Sequence, residues 1–374
     1  MLALRLARGS GPLILLRRLL VAAASAGVGL LLLCALDYAV GHPARPSATG
    51  PRLLWCLVPL AATVRLAAAV ARTDPAVRPS RGATAAGLGP AGRAALSAVS
   101  AALTCVLGST VALLLFVQLR HGVVPFAGAT ARGAGAGNPL PLPATLLLLV
   151  AAPAAAAAGS AWAVRPRRPV HEGAAPKGFL WGAALVAAGF AAEVYASGRP
   201  ESAALPLPGR FGSGPAGVLA GWSLTAWGLA VAGPALTHLC GRLLQSVGPG
   251  AVRLVAGRVL QSEARRIGRP LGVCCAVASG TVAALTLHGA EPRLAGPLTV
   301  LGAALVVACP AATLLAAAVE ARQDRAATTA ALLRGCAPAA LVRRAATLRA
   351  AALLALATPV TWAVAALAAA PLSG

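Results

Sequence analysis

Nine apolar stretches follow one another along the chain, at 19–40, 51–71, 94–118, 143–164, 178–197, 216–240, 270–289, 297–319 and 348–370, each bounded by Arg, Pro or Gly. A helix of about 20 mostly apolar residues covers a hydrocarbon core of about 30 Å, so each stretch predicts one membrane crossing. The intervening gaps at 41–50, 119–142, 198–215 and 290–296 are short. The two longest of these are rich in Gly and Pro and show neither a strand nor a helix pattern. The fold class predicted is all-α, a polytopic transmembrane helix bundle of about nine spans.

The pattern repeats. Residues 61–72 read AATVRLAAAVAR and residues 311–322 read AATLLAAAVEAR. Each segment closes a span, enters a loop, meets a small turn (Gly89-Pro90-Ala91; Ala337-Pro338-Ala339) and starts another span. Arginine-bearing segments at 5–20 and 253–271 open both halves. The organisation expected is two pseudo-repeats joined by a two-helix linker: residues 1–164 with four spans, 165–250 with two, and 251–374 with three. Ahead of the seventh span, Val252, Val255, Ala256, Val259, Leu260 and Ile267 share one helical face, the pattern of a helix lying in the interface, although Glu263 and Arg266 interrupt the stripe.

Composition agrees. With 58% hydrophobic and 11% charged residues, the chain is no ordinary water-soluble globule. The apolar run from Leu19 to Val40 is too long for the core of a signal peptide and is read as an uncleaved first helix.

Charge sets the orientation. Of the 32 Lys and Arg, 24 fall on the side of the N-terminus, seven on the opposite side, and Arg65 within a span. The positive-inside rule then places the N-terminus in the cytoplasm and the C-terminus outside, in a plasma membrane. A net charge of +23 would point to nucleic acid in a soluble protein. Here the arginines sit beside membrane spans, so anionic lipids of the inner leaflet are the expected counter-ions, at about 1 kcal/mol per Arg, and no nucleic-acid partner is implied.

Candidate chemistry is sparse. Cys34, Cys56, Cys105, Cys274, Cys275 and Cys309 fall within spans, Cys240 and Cys336 near the arginine-rich side, without C-x-x-C or His at ligand spacing; they read as small buried hydrophobes, and no metal or cofactor is implied. The P-loop pattern is absent and the single lysine, Lys177, sits between Pro176 and Gly178, so ATP hydrolysis would belong to another chain and this one is not expected to be an enzyme. Ionisable residues within spans are Asp37, Arg65 and Glu193. Arg65 is about seven residues, roughly 10 Å, from the inner end of its span and can snorkel. Asp37 and Glu193 lie about one turn from the outer ends of theirs, where anchoring at the interface is the ordinary role.

The loop 320–349, EARQDRAATTAALLRGCAPAALVRRAATLR, is the most informative polar stretch. Glu320, Arg322, Asp324 and Arg325 mark the membrane exit, apolar positions follow at Leu332, Leu333 and Leu341, and Arg343, Arg344 and Arg349 mark the return. A helix pair with leucines beside arginines suits docking in a groove of another protein.

A span, a charged loop with Leu332-Leu333-Arg334 and a turn, then a basic start to the next span resembles the FtsX/MacB-type permease domain of ABC transporters. The family's loop reads approximately R-E-x-A-L-L-R-A-L-G-A before a basic helix. Leu332-Leu333-Arg334 matches its L-L-R, and Arg343 and Arg344 its basic helix, while Thr328-Thr329 stand at the R-E positions and Ala337-Pro338 at the G-A positions. In the first repeat, Leu88-Gly89 matches the L-G turn with Arg81 upstream. Long members carry ten spans as four, two, four and a large extracytoplasmic domain; nine spans here fit as four, two, three, without such a domain.

The resemblance implies a permease subunit, working as a homo- or heterodimer, that couples a separate cytoplasmic ABC ATPase to helix movement. The ATPase would dock at Arg322, Asp324, Arg325, Leu332, Leu333, Arg334, Pro338 and Leu341, and in the first loop at Arg81, Leu88 and Gly89. The alternatives are a secondary transporter using Glu193 or Asp37 as a proton site, and a membrane scaffold or sensor without transport.

Overall fold

The computed structural model of the chain describes residues 12–41, 46–74, 89–121, 141–165, 178–198, 204–206, 213–246, 250–288, 297–334 and 339–370. These are almost wholly helical. The helices are α1 (Pro12–Gly41), α2 (Pro46–Thr73), α3 (Pro90–Arg120), α4 (Leu142–Val164), α5 (Gly178–Ser197), α6 (Ala216–Ser246), α7 (Ala251–His288), α8 (Pro297–Asp324), α9 (Ala326–Arg334) and α10 (Ala339–Ala369). All but the nine-residue α9 are long and apolar enough to cross a membrane, which makes nine candidate spans among the described residues. The protein is an all-α polytopic bundle.

Two findings correct the sequence reading in detail. Between α5 and α6, where no strand pattern was expected, β1 (Ala204–Pro206) pairs with β2 (Ser213–Pro215). Residues 252–267 do not form a separate interfacial helix either, because α7 runs unbroken for 38 residues through Pro270. Its early turns bury Ala256, Leu260 and Ala264. Those turns also bring Gly257 against Gly241 and Gln245 of α6, so this stretch packs on a neighbouring helix.

The chain clusters into two compact units. One holds α1 to α4 with α8 as far as Thr313. Its core is Val21, Ala24, Val28 and Leu32 of α1 against Leu66 and Ala67 of α2, Cys105 of α3, Ala156 of α4 and Leu305 and Cys309 of α8. Lipid offers helices little hydrophobic drive to associate, so small residues and hydroxyls take over that work. Ser25 donates to the Cys105 carbonyl at 3.0 Å, Ser109 to the Leu149 carbonyl at 3.2 Å, and Ser160 to the Ser97 carbonyl at 3.4 Å, joining α1 to α3 and α3 to α4.

The other unit holds α5, α6, α7, α9, α10 and the end of α8 from Leu314. Helix α6 lies between α5 and α7 and meets both through glycines. A methyl group added at Gly182, Gly189, Gly221 or Gly228 would come within 2.8 Å of backbone atoms of the opposite helix in the α5–α6 pair. On its other side α6 meets α7 at Gly233 against Gly268 and at Gly241 against Gly257. Pro153, Pro234, Pro310 and Pro359 lie inside helices, as their positions within spans predict. The two spans that the sequence sets between the repeats are thus packed in one unit with α7.

Candidate functional site

The arginine-rich end of α7, α8 and α10 gathers the loop singled out by sequence. Helix α8 continues to Asp324, Arg325 forms a turn, and α9 starts at Ala326, its Thr329 amide donating to the Arg325 carbonyl at 2.8 Å. On α7, Glu263 and Arg266 are the residues that interrupt the apolar stripe, and they face this junction. Arg266 bonds Asp324 and lies 3.9 Å from Glu320. Glu263 lies 3.0 Å from Arg325. That Arg325 nitrogen has no aligned hydrogen bond, so the approach is a charge contact only. Arg349 of α10 lies within electrostatic reach of Glu263 and Arg325.

Three carboxylates therefore face three guanidiniums. The whole chain has nine acidic residues against 32 basic ones, so this concentration of acid marks the start of α9 as a place the fold secures. The polarity is complementary: Glu263 then Arg266 on α7 meets Asp324 then Arg325 after α8. That order was the available signal for the pairing, but partners about 60 residues apart cannot be matched from one sequence.

The energetics are modest and testable. Glu263 and Arg325 are 12% and 29% exposed, which leaves a coupling of about 1 kcal/mol after solvent screening. Glu263→Arg or Arg325→Glu alone should lower the melting temperature of the solubilised protein, and the double exchange should restore most of it. A loss in the double variant equal to the sum of the two single losses would show that the contact contributes nothing.

The remaining docking candidates stand as follows. Arg322 is exposed. Arg334 is also exposed, its Nε donating to the Ala330 carbonyl at 3.4 Å one turn back. Leu332 and Leu333 lie on α9 with their side chains outside the described residues, and Leu341 is half-buried in the first turn of α10. Pro338, Arg81, Leu88 and Cys336 lie outside the described residues. Gly89 is the extended residue before α3, at φ −66° and ψ 175°, with Pro90 at the first helical position. The structure thus ties Asp324 and Arg325 into the fold and leaves Arg322 and Arg334 at the surface.

The intramembrane ionisable residues separate clearly. Arg65 is exposed on α2. Asp37 is buried at the end of α1, with the Arg120 guanidinium of α3 acting on it. Glu193 has no exposed surface at all, and neither of its carboxyl oxygens has a hydrogen-bond partner. It points into the α5–α6 contact, where a methyl added at Gly221 would meet its Cγ. Nearness to the helix end suggested an interfacial anchor; packing against α6 puts the side chain among helix atoms.

The described cysteines are free and buried or half-buried, and no three His, Cys, Asp or Glu come together to hold a metal among the described residues. Two small hollows among the described residues each have room for about one water. One lies beside the pair formed by Arg18 and Asp74, which are 2.8 Å apart. Comparison with family models, with curated proteins and with solved structures finds no match for this chain.

Proposed function

We propose that this membrane protein is a permease-like subunit of an ABC-type transporter of the FtsX/MacB-like class, acting with a separate cytoplasmic ATPase. The observation that carries the reading is α9, a short helix set between two spans and held at its start by ion pairs to α7. A docking element must pass displacement to the membrane helices. A free loop would absorb it. With Arg325 tied to Glu263 and Asp324 to Arg266, a push on α9 reaches α7 and α8 together. The organisation into repeats at 1–164 and 251–374 around a linker at 165–250, and association as a dimer, belong to the same proposal.

The test is co-expression with an ABC ATPase of the class that serves FtsX/MacB-type permeases and recovery of the pair from detergent. Co-elution in constant ratio supports the reading. Recovery of the chain alone, with the ATPase folded and present in excess, removes it in favour of a scaffold.

The orientation, N-terminus in the cytoplasm of a plasma-membrane protein, has its own check. An impermeant thiol reagent should label cysteines placed at Ser213 and Thr130 in intact cells and spare one at Ala327. Labelling at 327 reverses the orientation and with it the docking of a cytoplasmic partner.

A further inference from the structure

Glu193 is the one described carboxyl group that is wholly buried with neither oxygen in a hydrogen bond. Across the seam on α6, the Thr225 hydroxyl is also buried and without a bond. Both line the same close contact: a methyl at Gly189 would strike the Thr225 hydroxyl, and one at Gly221 the Glu193 side chain. The backbones meet here, leaving no space for a hydrated ion.

No described cation neutralises the group. Helix α5 has no other charged residue, and its Tyr195 is exposed. On α6 the titratable side chains are His238, Cys240 and Arg242, at least 13 residues beyond Thr225, or about 20 Å along the axis. On α10 they are Arg343, Arg344 and Arg349, all within its first three turns. The polar side chain that these close contacts set in the seam with Glu193 is Thr225. A bare carboxylate in such surroundings is among the least tolerable groups in a membrane, whereas the neutral acid carries one donor and acceptor capacity of its own.

We propose that Glu193, with Thr225, is a proton-binding site inside the α5–α6 seam, occupied by a proton in this structure, and that losing the proton parts the two helices. The step is a plain proton transfer. The O–H bond of the acid breaks, the proton passes to water admitted at the Ser197 end of α5, and the carboxylate left behind requires that water to stay. Parting is local because the seam is closed largely by short-ranged contacts at Gly182, Gly189, Gly221 and Gly228. This site is independent of ATPase docking, and either reading stands if the other fails.

The test uses the full-length protein reconstituted in liposomes. Infrared difference spectra at neutral pH should show the carbonyl band of a protonated carboxylic acid, abolished in Glu193→Gln and shifted but retained in Thr225→Val. As pH is raised until the band disappears, amide protection across 186–197 and 217–228, taken relative to the base-catalysed intrinsic rate at each pH, should fall in the wild type by about tenfold or more, and stay unchanged in Glu193→Gln. Thr225→Val keeps the carboxyl and serves as a second reporter should the glutamine variant not fold. Absence of the band at neutral pH, with exchange protected only by added sodium, would replace the proton by a metal cation and overturn the proposal. Loss of the band without any change in exchange would overturn its coupling to the seam.

Discussion

Gly268→Leu should remove most of the folded protein. A methyl group at this position already falls 2.5 Å from Pro234 Cα and 2.7 Å from the Gly233 carbonyl oxygen, and leucine adds three more carbons. Overpacking usually costs about 1–3 kcal/mol because neighbouring side chains can turn aside. Here the neighbours are backbone atoms of a helix fixed on its other side by α5, so the cost lies at or above about 3 kcal/mol. The melting temperature of the detergent-solubilised protein should fall by roughly 4 °C or more, and the monodisperse fraction on size exclusion should shrink with it. Gly280→Leu, on the same helix with nothing within 4 Å of the added carbon, should leave both unchanged or slightly improved. Equal tolerance of both substitutions would mean that α6 and α7 do not approach as described.

Leu333→Asp should abolish association with the proposed ATPase while leaving the chain inserted. Helix α9 carries Leu332 and Leu333 between Arg325 and Arg334, an apolar pair framed by charge. A carboxylate brought into an apolar contact has no partner there and costs several kcal/mol, enough to lower affinity by more than a hundredfold. Arg334→Ala removes one exposed charge and should weaken association only a few-fold, with stronger effect at low salt. Pull-down from detergent with each variant reads both. If the two variants bind like the parent, α9 is not the docking element and the ATPase contacts another part of the chain.

Much of the architecture was legible because membrane spans are written in length and apolarity. All nine spans were found, although α1 already starts at Pro12 against a predicted 19 and α10 at Ala339 against a predicted 348. The extent of α7 was not. The stripe at 252–267 suggested a separate interfacial helix, yet Ala256, Leu260 and Ala264 are buried and the helix runs on unbroken.

The glycine seams were hidden for a compositional reason. With 41 glycines in 374 residues, those that bring backbones together do not stand out from the rest. Glu193 was visible as a residue type and a depth, but only packing shows which way it points. The ion pairs at Asp324 and Arg325 likewise required knowing that α7 lies beside the end of α8.

The neutral cluster at the start of α9 bears on how the protein is made as well as on how it holds together. Membrane insertion responds to lysine and arginine, and Asp and Glu contribute little to that response. Arg266, Arg325 and Arg349 can therefore act at full strength as topogenic signals while the chain is being threaded into the bilayer, even though Glu263, Glu320 and Asp324 are close by in sequence. Once the helices have assembled, the same arginines are taken up as partners of those acids. One set of residues serves two successive stages of biogenesis, and Glu263→Gln should leave the inserted orientation unaltered while loosening only the finished assembly.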